Sequence, residues 1–388
     1  MPTDHTSPDD PGLADRAATW VGAYVHIPFC RHVCPYCDFA VIEGRHDLRG
    51  PYLEALTAEI AGDDPFDRPL DAVFVGGGTP TSIEPKSLGR VLRVLADRFG
   101  LAEGAEVSVE ANPEDLDEGV SERLVSAGFN RVSLGVQSFD PSVLAALGRH
   151  HSPDQAEAAL GAAREAFDSV NVDLIFGTAG ESPASWRASV ERAVGSGVDH
   201  LSVYALTVER GTALAKAVLA GAPAPDPDDQ ADKYLDAVAI AQPAGLIRYE
   251  TSNFARAGHG CRYNLITWAQ GEYAAFGNGA HRHRGGVRSW NVRRVDRYLE
   301  RAPAGVVSGE ERLDPWQRDV ERVMVGLRRT AGVAPGWSGR ALAESAAGRR
   351  LVAAGVLAAE AERLRVLQPL LGDEVTRRLL ALDPMPIR

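Results

Sequence analysis

Three cysteines fall within eight residues: Cys30, Cys34 and Cys37, in the run Tyr24-Val-His-Ile-Pro-Phe-Cys30-Arg-His-Val-Cys34-Pro-Tyr-Cys37-Asp-Phe39. Together they offer three thiolates on one loop. A cubic [4Fe–4S] cluster normally takes four thiolates, so three leave one iron open. An open iron can bind a small molecule through nitrogen and oxygen and pass it an electron. Two blander chemistries compete. Cys34-Pro-Tyr-Cys37 alone looks like a thiol redox pair. Against that, a third thiol lies upstream and the chain is far longer than a redox domain. A structural zinc site of three Cys with His26 or His32 is the other alternative. The flanking residues fit the cluster better. The fourth cysteine, Cys261, reads as a small buried hydrophobe.

A second motif is Val73-Phe-Val-Gly76-Gly77-Gly78-Thr79-Pro80-Thr81. Glycines after a strand let backbone amides approach a ligand closely. A phosphate loop would need Gly-Lys-Ser/Thr, which is absent. Further polar residues stand where strands end. Glu110 could accept from an ammonium or a ribose, Gln137 could bond ribose hydroxyls, and Arg149 could fork a carboxylate. Asp173 ends another strand. Singly, each is an ordinary surface residue; their recurrence at matching places is the signal.

The elements that must hold these residues alternate. Short apolar runs predict strands over 23–27, 72–75, 107–110, 131–135, 170–176, 201–206 and 246–250. Apolar residues at helical spacing predict helices over 51–61, 86–99, 114–127, 153–167, 185–194 and 227–242. Several follow Asp, Ser or Pro, which cap or pre-set a first turn. Alternating strands and helices imply βαβ units and a parallel sheet. Polar residues at nearly every strand end favour a (β/α) barrel, whose strand ends converge on one mouth. Beyond about residue 300, 315–328 and 337–371 read as helices, with 363–366 a short strand. The expected organisation is a disordered tail over 1–22, a barrel and associated region over 23–300, and a mainly helical domain over 301–388.

The spacing C-x3-C-x2-C is the signature of the radical S-adenosylmethionine (SAM) superfamily, and within it the chain resembles the HemN/HemW group. The resemblance covers about residues 23 to 330. Tyr-Val-His-Ile-Pro-Phe-Cys, Gly-Gly-Gly-Thr-Pro-Thr, Glu-Ala-Asn-Pro, Gly-Val-Gln-Ser-Phe, Leu-Gly-Arg and Val-Asp-Leu-Ile-Phe-Gly appear in the group's order. It implies an α/β fold, a partial (β/α)6 TIM-like barrel with a C-terminal helical domain. It implies that Cys30, Cys34 and Cys37 ligate a [4Fe–4S] cluster, and that Tyr24, Gly77, Gly78, Thr79, Glu110, Gln137, Arg149 and Asp173 line the SAM site. No catalytic residue is assigned. Oxygen-independent coproporphyrinogen III dehydrogenases of the group carry a further Cys two residues after the third ligand, where this chain has Phe39. HemW proteins read Cys-Pro-Tyr-Cys-Asp-Phe, as here, and are regarded as heme chaperones. The resemblance therefore implies heme as a further ligand, a heme-acceptor protein, and an electron donor for the cluster. A dehydrogenase-like enzyme is the alternative. One departure stands out. HemW proteins usually carry His-Asn-x-x-Tyr-Trp, whereas here Tyr263-Asn264 and Thr267-Trp268 replace the His and the Tyr. Tyr263, His259, His281 and His283 are the candidate heme ligands, which places heme near 259–283.

Composition bounds the rest. The chain has 388 residues, 45% of them hydrophobic and 24% charged, as in ordinary globular proteins. Its net charge of −12 argues against a nucleic-acid partner. No segment reaches the ~18 apolar residues of a membrane span. The polar N-terminus lacks the pattern of a signal peptide, so a cytoplasmic location is expected.

Overall fold

The structure, a computed structural model, describes residues 6–383. Six strands form its parallel heart: β1 (Val21–Ile27), β4 (Leu70–Gly77), β5 (Leu101–Ala111), β6 (Arg131–Gln137), β7 (Ser169–Phe176) and β8 (His200–Ala205). They pair in that order, all parallel. Between β1 and β4 lies a minor parallel pair, β2 (Phe29–Cys30) and β3 (Ile42–Glu43), which braces the cysteine loop. Each of the six strands returns through helix: α2 (Arg49–Gly62), α3 (Pro85–Phe99), α4 (Glu118–Ser126), α5 (Pro141–Ala146) with α6 (Pro153–Ala166), α7 (Pro183–Gly195), and α8 (Ala213–Leu219) with α9 (Pro227–Ala241). This is the expected partial (β/α)6 barrel.

The local reasons are legible. Asp117, Asp140, Ser152, Ser182 and Asp226 each accept a backbone N–H at the start of a helix, and proline holds the first turn of four of these five. Near-continuous burial along β1 and β7 marks strands covered on both faces. The core joins Val25, Val75, Val109, Leu134, Leu174 and Val203 of the strands to Leu56, Leu95, Leu124, Leu160 and Trp186 of the helices.

The half-barrel does not close on itself. On one edge β9 (Ile247–Arg248) and β10 (Asn253–Ala255) continue the sheet antiparallel from β8. On the other, β11 (Glu272–Phe276) pairs parallel with β1, followed by antiparallel β12 (His281–Arg284), β13 (Val287–Asn291) and β14 (Val307–Arg312). These last strands were not anticipated from the sequence. The residues of β12, β13 and β14 are mostly polar, so no apolar run announces them, whereas β11 holds a short one, Tyr273–Phe276.

Two further differences have physical reasons. The tail expected to be disordered over 1–22 instead forms α1 (Pro11–Ala17), and β1 starts at Val21; residues 1–5 lie outside the described range. Asp10 caps α1 by accepting from Leu13 N at 2.9 Å. Leu13 and Ala17 bury against Tyr249, Ala255 and Leu265. Few apolar side chains suffice because α10 (Arg262–Trp268) supplies the partner surface. The long helix expected over 337–371 is broken into α13 (Gly336–Glu344), α14 (Ala346–Ala353) and a hairpin of β15 (Leu357–Ala359) and β16 (Leu364–Val366). With α12 (Pro315–Gly326) and α15 (Gly372–Leu380) these enclose a second core around Val323, Leu342, Leu364 and Val375. The remaining helix, α11 (Val295–Arg301), packs on α2.

Candidate functional site

One cavity of about 480 Å³ opens at the C-terminal ends of the parallel strands. Cys30, Cys34, Cys37, Tyr24, Gly77, Gly78, Thr79, Glu110, Gln137, Arg149 and Asp173 all face it. The structure therefore brings together every residue that the sequence assigns to the cluster and the SAM site. They come from five different strands or the loops behind them, as a barrel mouth requires.

The cysteine loop leaves β1 and folds over the glycine turn that ends β4. Gly78 N donates to Ile27 O at 2.8 Å, and Thr79 N to Phe29 O at 2.9 Å. The approach is too close for any side chain. A Cβ on Gly78 would stand 2.9 Å from Cys30 Sγ, and one on Gly76 2.8 Å from the Glu110 carboxyl. Gly77 adds a left-handed backbone, φ +114°, and its Cβ would meet the His26 ring at 2.4 Å. The glycines thus leave bare backbone beside the thiols.

Donors reach the sulfurs from across the cavity. Thr79 Oγ1 lies 3.8 Å from Cys30 Sγ, and Arg149 Nη1 lies 3.7 Å from Cys34 Sγ. Burial pushes the Cys30 thiol up to about 11 and raises Cys37 as well. These thiols therefore stay protonated without a cation, whereas coordination to iron deprotonates a thiol outright. None of the four cysteines is in a disulfide. Among the described residues no three His, Cys, Asp or Glu side chains stand together at the spacing of a single metal ion. The donor set itself, three free thiols on one loop beside bare backbone, fits a cluster with one open iron.

The carboxylates are held in defined states. Glu110 accepts from Gly77 N at 2.9 Å. Burial and the nearby Asp173 charge raise its carboxyl to about 7, against that hydrogen bond. Burial also raises Asp173, although it accepts from Ser133 Oγ at 2.9 Å and Asn171 Nδ2 at 2.7 Å. Tyr24 is aimed by His26. The His26 ring, lowered to about 4 by burial, donates from Nε2 to Ala40 O at 3.1 Å; its Nδ1 accepts from Tyr24 Oη at 3.1 Å. Gln137 sits at φ 66° beside an irregularity in the β6–β7 register, an uncommon backbone for its type.

Sequence reasoning missed several residues of the wall. Asn112 ties the site together: its Oδ1 accepts from Arg149 Nη2 at 2.5 Å and its Nδ2 donates to Thr79 Oγ1 at 3.0 Å. Deeper, Ser133, Asn171, His200 and Ser202 form a polar network, with His200 Nε2 and Tyr249 Oη 2.8 Å apart. Their signal was present. Polar residues at alternate positions of otherwise apolar strands all face the interior.

The floor belongs to α10, which crosses the N-terminal halves of the strands. Arg262 N donates to Glu106 Oε1 at 3.0 Å, and a Cβ on Gly22 would meet Tyr263 and Ile266 at 3.2 Å. Tyr263 stacks on Tyr24 and Phe74, with centroids 6.0 and 5.6 Å apart. Cys261 is buried as expected, and also lines this floor. The four candidate heme ligands are not brought together. His259 hydrogen-bonds Ser169 Oγ outside the cavity, His281 stacks on Trp290, and His283 bonds Gly271 O on the antiparallel extension. Burial raises the Tyr263 hydroxyl well above its ordinary range, so the phenolate that would ligate iron is disfavoured.

Comparison with known proteins agrees with this geometry. Residues 24–193 match the radical SAM superfamily. The heme chaperone HemW of Mycobacterium tuberculosis is 41% identical over 383 residues, covering 95% of this chain and 97% of its own. The heme chaperone HemW of Escherichia coli is 35% identical over 311 residues, covering 77% of this chain and 78% of its own. The fold matches the solved structure of coproporphyrinogen III oxidase (HemN) of Escherichia coli with a TM-score of 0.80, at 22% identity, over 96% of this chain and 94% of that one. With a three-cysteine loop, a glycine turn and converging strand ends, and a match over 95% of its length to the Mycobacterium tuberculosis protein, the chain belongs to the HemW family of the radical SAM superfamily.

Proposed function

We propose that this protein is a heme chaperone that carries a [4Fe–4S] cluster and SAM in its half-barrel and passes heme to an acceptor protein. The observation that carries the reading is the near whole-length match to HemW proteins on a loop where Cys37 is followed by Asp38-Phe39 instead of a further thiol. Cys30, Cys34 and Cys37 hold the cluster. When bound, the cluster supplies one electron and an open iron for the amino and carboxylate groups of SAM.

The chain's own residues set up that site. The backbone at Gly77 and Gly78, with Thr79, flanks the methionyl end. Glu110, in its ionised form, would accept from an N–H of the SAM amino group. Gln137 and Asp173 face the ribose. Arg149 is already engaged by Asn112 Oδ1 and by Gly135 O at 2.9 Å, so it positions the wall and places a positive charge beside Cys34. Tyr24, oriented by His26, closes the inner side and excludes water. Among the described residues no helix is long and apolar enough to cross a membrane.

The test is a hemin titration of anaerobically reconstituted protein, followed by the Soret band. Saturable, near-stoichiometric binding is expected, with retention of iron and sulfide. Absence of binding in protein with an intact cluster overturns the chaperone reading. Conversion of coproporphyrinogen III to protoporphyrinogen under reducing conditions establishes the enzyme in its place.

A further inference from the structure

The cysteine loop has a second side. Behind it lies a groove of about 400 Å³ whose lining includes Val41, Ile42, Leu48 and Val295. Phe39 and Val41 line both this groove and the strand-end cavity, so one strip of chain is the wall between them. Phe39 is 61% exposed, an unusual state for a large aromatic side chain.

The wall is pinned. Ala40 O accepts from His26 Nε2 at 3.1 Å and from Asn278 Nδ2 at 2.9 Å. Asn278 Nδ2 also reaches Arg293 O at 2.9 Å, and the Arg293 guanidinium donates to Asp38 O. A Cβ on Gly279 would stand 2.7 Å from Ala40 Cβ. The groove is therefore a built surface held from behind.

Its charge is opposite to that of the molecule. The whole chain carries −12, yet Arg45, Arg293 and Arg294 line the groove against one acid, Asp296. Arg45 pairs with Asp47 and Arg294 with Asp296. Arg293 pairs with no carboxylate among the described residues; it meets only a backbone carbonyl. An apolar floor with an exposed aromatic side chain and arginines around it suits a flat apolar ligand with carboxylates on one edge.

We infer that this groove is the porphyrin site of the protein: the macrocycle lies on Phe39, Val41 and Ile42, and its propionates meet Arg293 and Arg294. The inference rests on the heme-chaperone reading and gives it a location. Among the described residues no histidine or tyrosine lines the groove, so recognition is of the porphyrin and its carboxylates, not of the iron. A ligand held this way stays accessible to an acceptor. The shared wall also joins its occupancy to the cluster loop.

The experiment titrates reconstituted protein with hemin, metal-free protoporphyrin IX and protoporphyrin dimethyl ester. It compares wild type with Arg293→Glu and with the doubly substituted Arg45→Glu, Arg294→Glu surface variant, in which no helix or strand interior is altered. Wild type is expected to bind hemin and protoporphyrin within about threefold of each other, and the diester at least tenfold more weakly. Both variants lose at least tenfold for the diacids, and the Arg45→Glu, Arg294→Glu variant, which leaves the Arg293 contact to Asp38 O in place, does so with iron, sulfide and SAM binding unchanged. Wild-type binding that both variants retain overturns the groove and leaves the chaperone reading standing. Hemin binding without protoporphyrin binding overturns it too, because the iron is then recognised elsewhere. Normal hemin binding with slowed cluster reduction by an acidic flavoprotein reassigns the groove to protein docking. A wild type that binds no porphyrin overturns the reading on which the inference rests.

Discussion

The two ends of the half-barrel are furnished in opposite ways. At the strand ends, thiols, bare glycine backbone and carboxylates of raised pKa surround open space. At the strand starts, α10 closes the interior with Tyr263 stacked on Tyr24 and Phe74, while Ile266 and Leu265 are buried outright. The upper end keeps open space beside its polar groups, which a ligand can fill. The lower end is packed by side chains of α10. The difference separates residues kept for chemistry from residues kept for closure, and both types occur in the same cavity.

Cysteine gives the sharpest contrast. Cys30, Cys34 and Cys37 stand at the mouth and Cys261 at the floor. Changing any of the first three to Ala is expected to abolish bound iron and sulfide after anaerobic reconstitution, because three ligands is already the minimum. Cys261→Ala should keep the full iron content. Iron and sulfide analysis decides it, and loss of the cluster in Cys261→Ala with retention in Cys30→Ala would break the comparison.

Glycine gives the next. Gly77→Ala must adopt φ +114° and push a Cβ to 2.4 Å from an imidazole that is hydrogen-bonded on both sides. The expected cost is about 2 to 4 kcal/mol, with loss of SAM binding. Gly22→Ala at the floor has no such backbone demand, and its neighbours at 3.2 Å are the Ile266 Cδ1 methyl and the edge of the Tyr263 ring. About 1 kcal/mol is expected there. Chemical denaturation of both variants measures the gap; equal costs would erase the distinction.

Much of the upper end was legible because its signals are local. The cysteine spacing, the Gly76–Gly78 run and the polar residue closing each strand can be read within a few positions. Helices α3, α6 and α9 announce themselves by apolar spacing and by a Pro or capped first turn. The floor was not legible, since it depends on a distant return of the chain. Nothing around Tyr263 indicates that it will meet Tyr24 and Phe74. The polar strands β12 and β13 gain their place by pairing alone. A Pro- and Asp-rich N-terminus hides Leu13 and Ala17, the apolar residues that dock α1. Asn112 was missed for a further reason: its role exists only between Thr79 and Arg149.

A pH experiment sharpens the electrostatic side. The Glu110 carboxyl is raised to about 7 in the fold, above its ordinary value near 4.5. Between those two values the folded state holds a proton that the unfolded chain has released, so stability without ligand falls as pH rises through this window. Above about 7 the loss is complete. Glu110→Gln removes it, and should stabilise the ligand-free protein by about 1 to 2 kcal/mol at pH 8, cavity water moderating the effect. At pH 4 the variant should match wild type. The same variant should bind SAM more weakly, since an amide oxygen is a poorer acceptor than a carboxylate for the amino N–H. Stabilisation at pH 4 but not at pH 8 would reverse the assigned sign.

The smallest expected effect is the loss of a single hydroxyl from the residue that occupies the place of the usual motif histidine. Tyr263 presents its ring to Tyr24, Phe74 and Tyr273, with centroids between 5.6 and 6.0 Å away. Its ionisation is opposed by burial first and by its tyrosine neighbours second. A ring that serves as packing tolerates loss of its hydroxyl and does not tolerate loss of its bulk. Tyr263→Phe should therefore change stability by less than about 1 kcal/mol, and Tyr263→Ala should cost about 3 kcal/mol. Hemin affinity should follow neither substitution, because the groove behind the cysteine loop is a separate surface. A Tyr263→Phe variant that folds, holds its cluster and fails to bind hemin would make the floor a ligand site after all, and the contrast between the two ends of the barrel would fall with it.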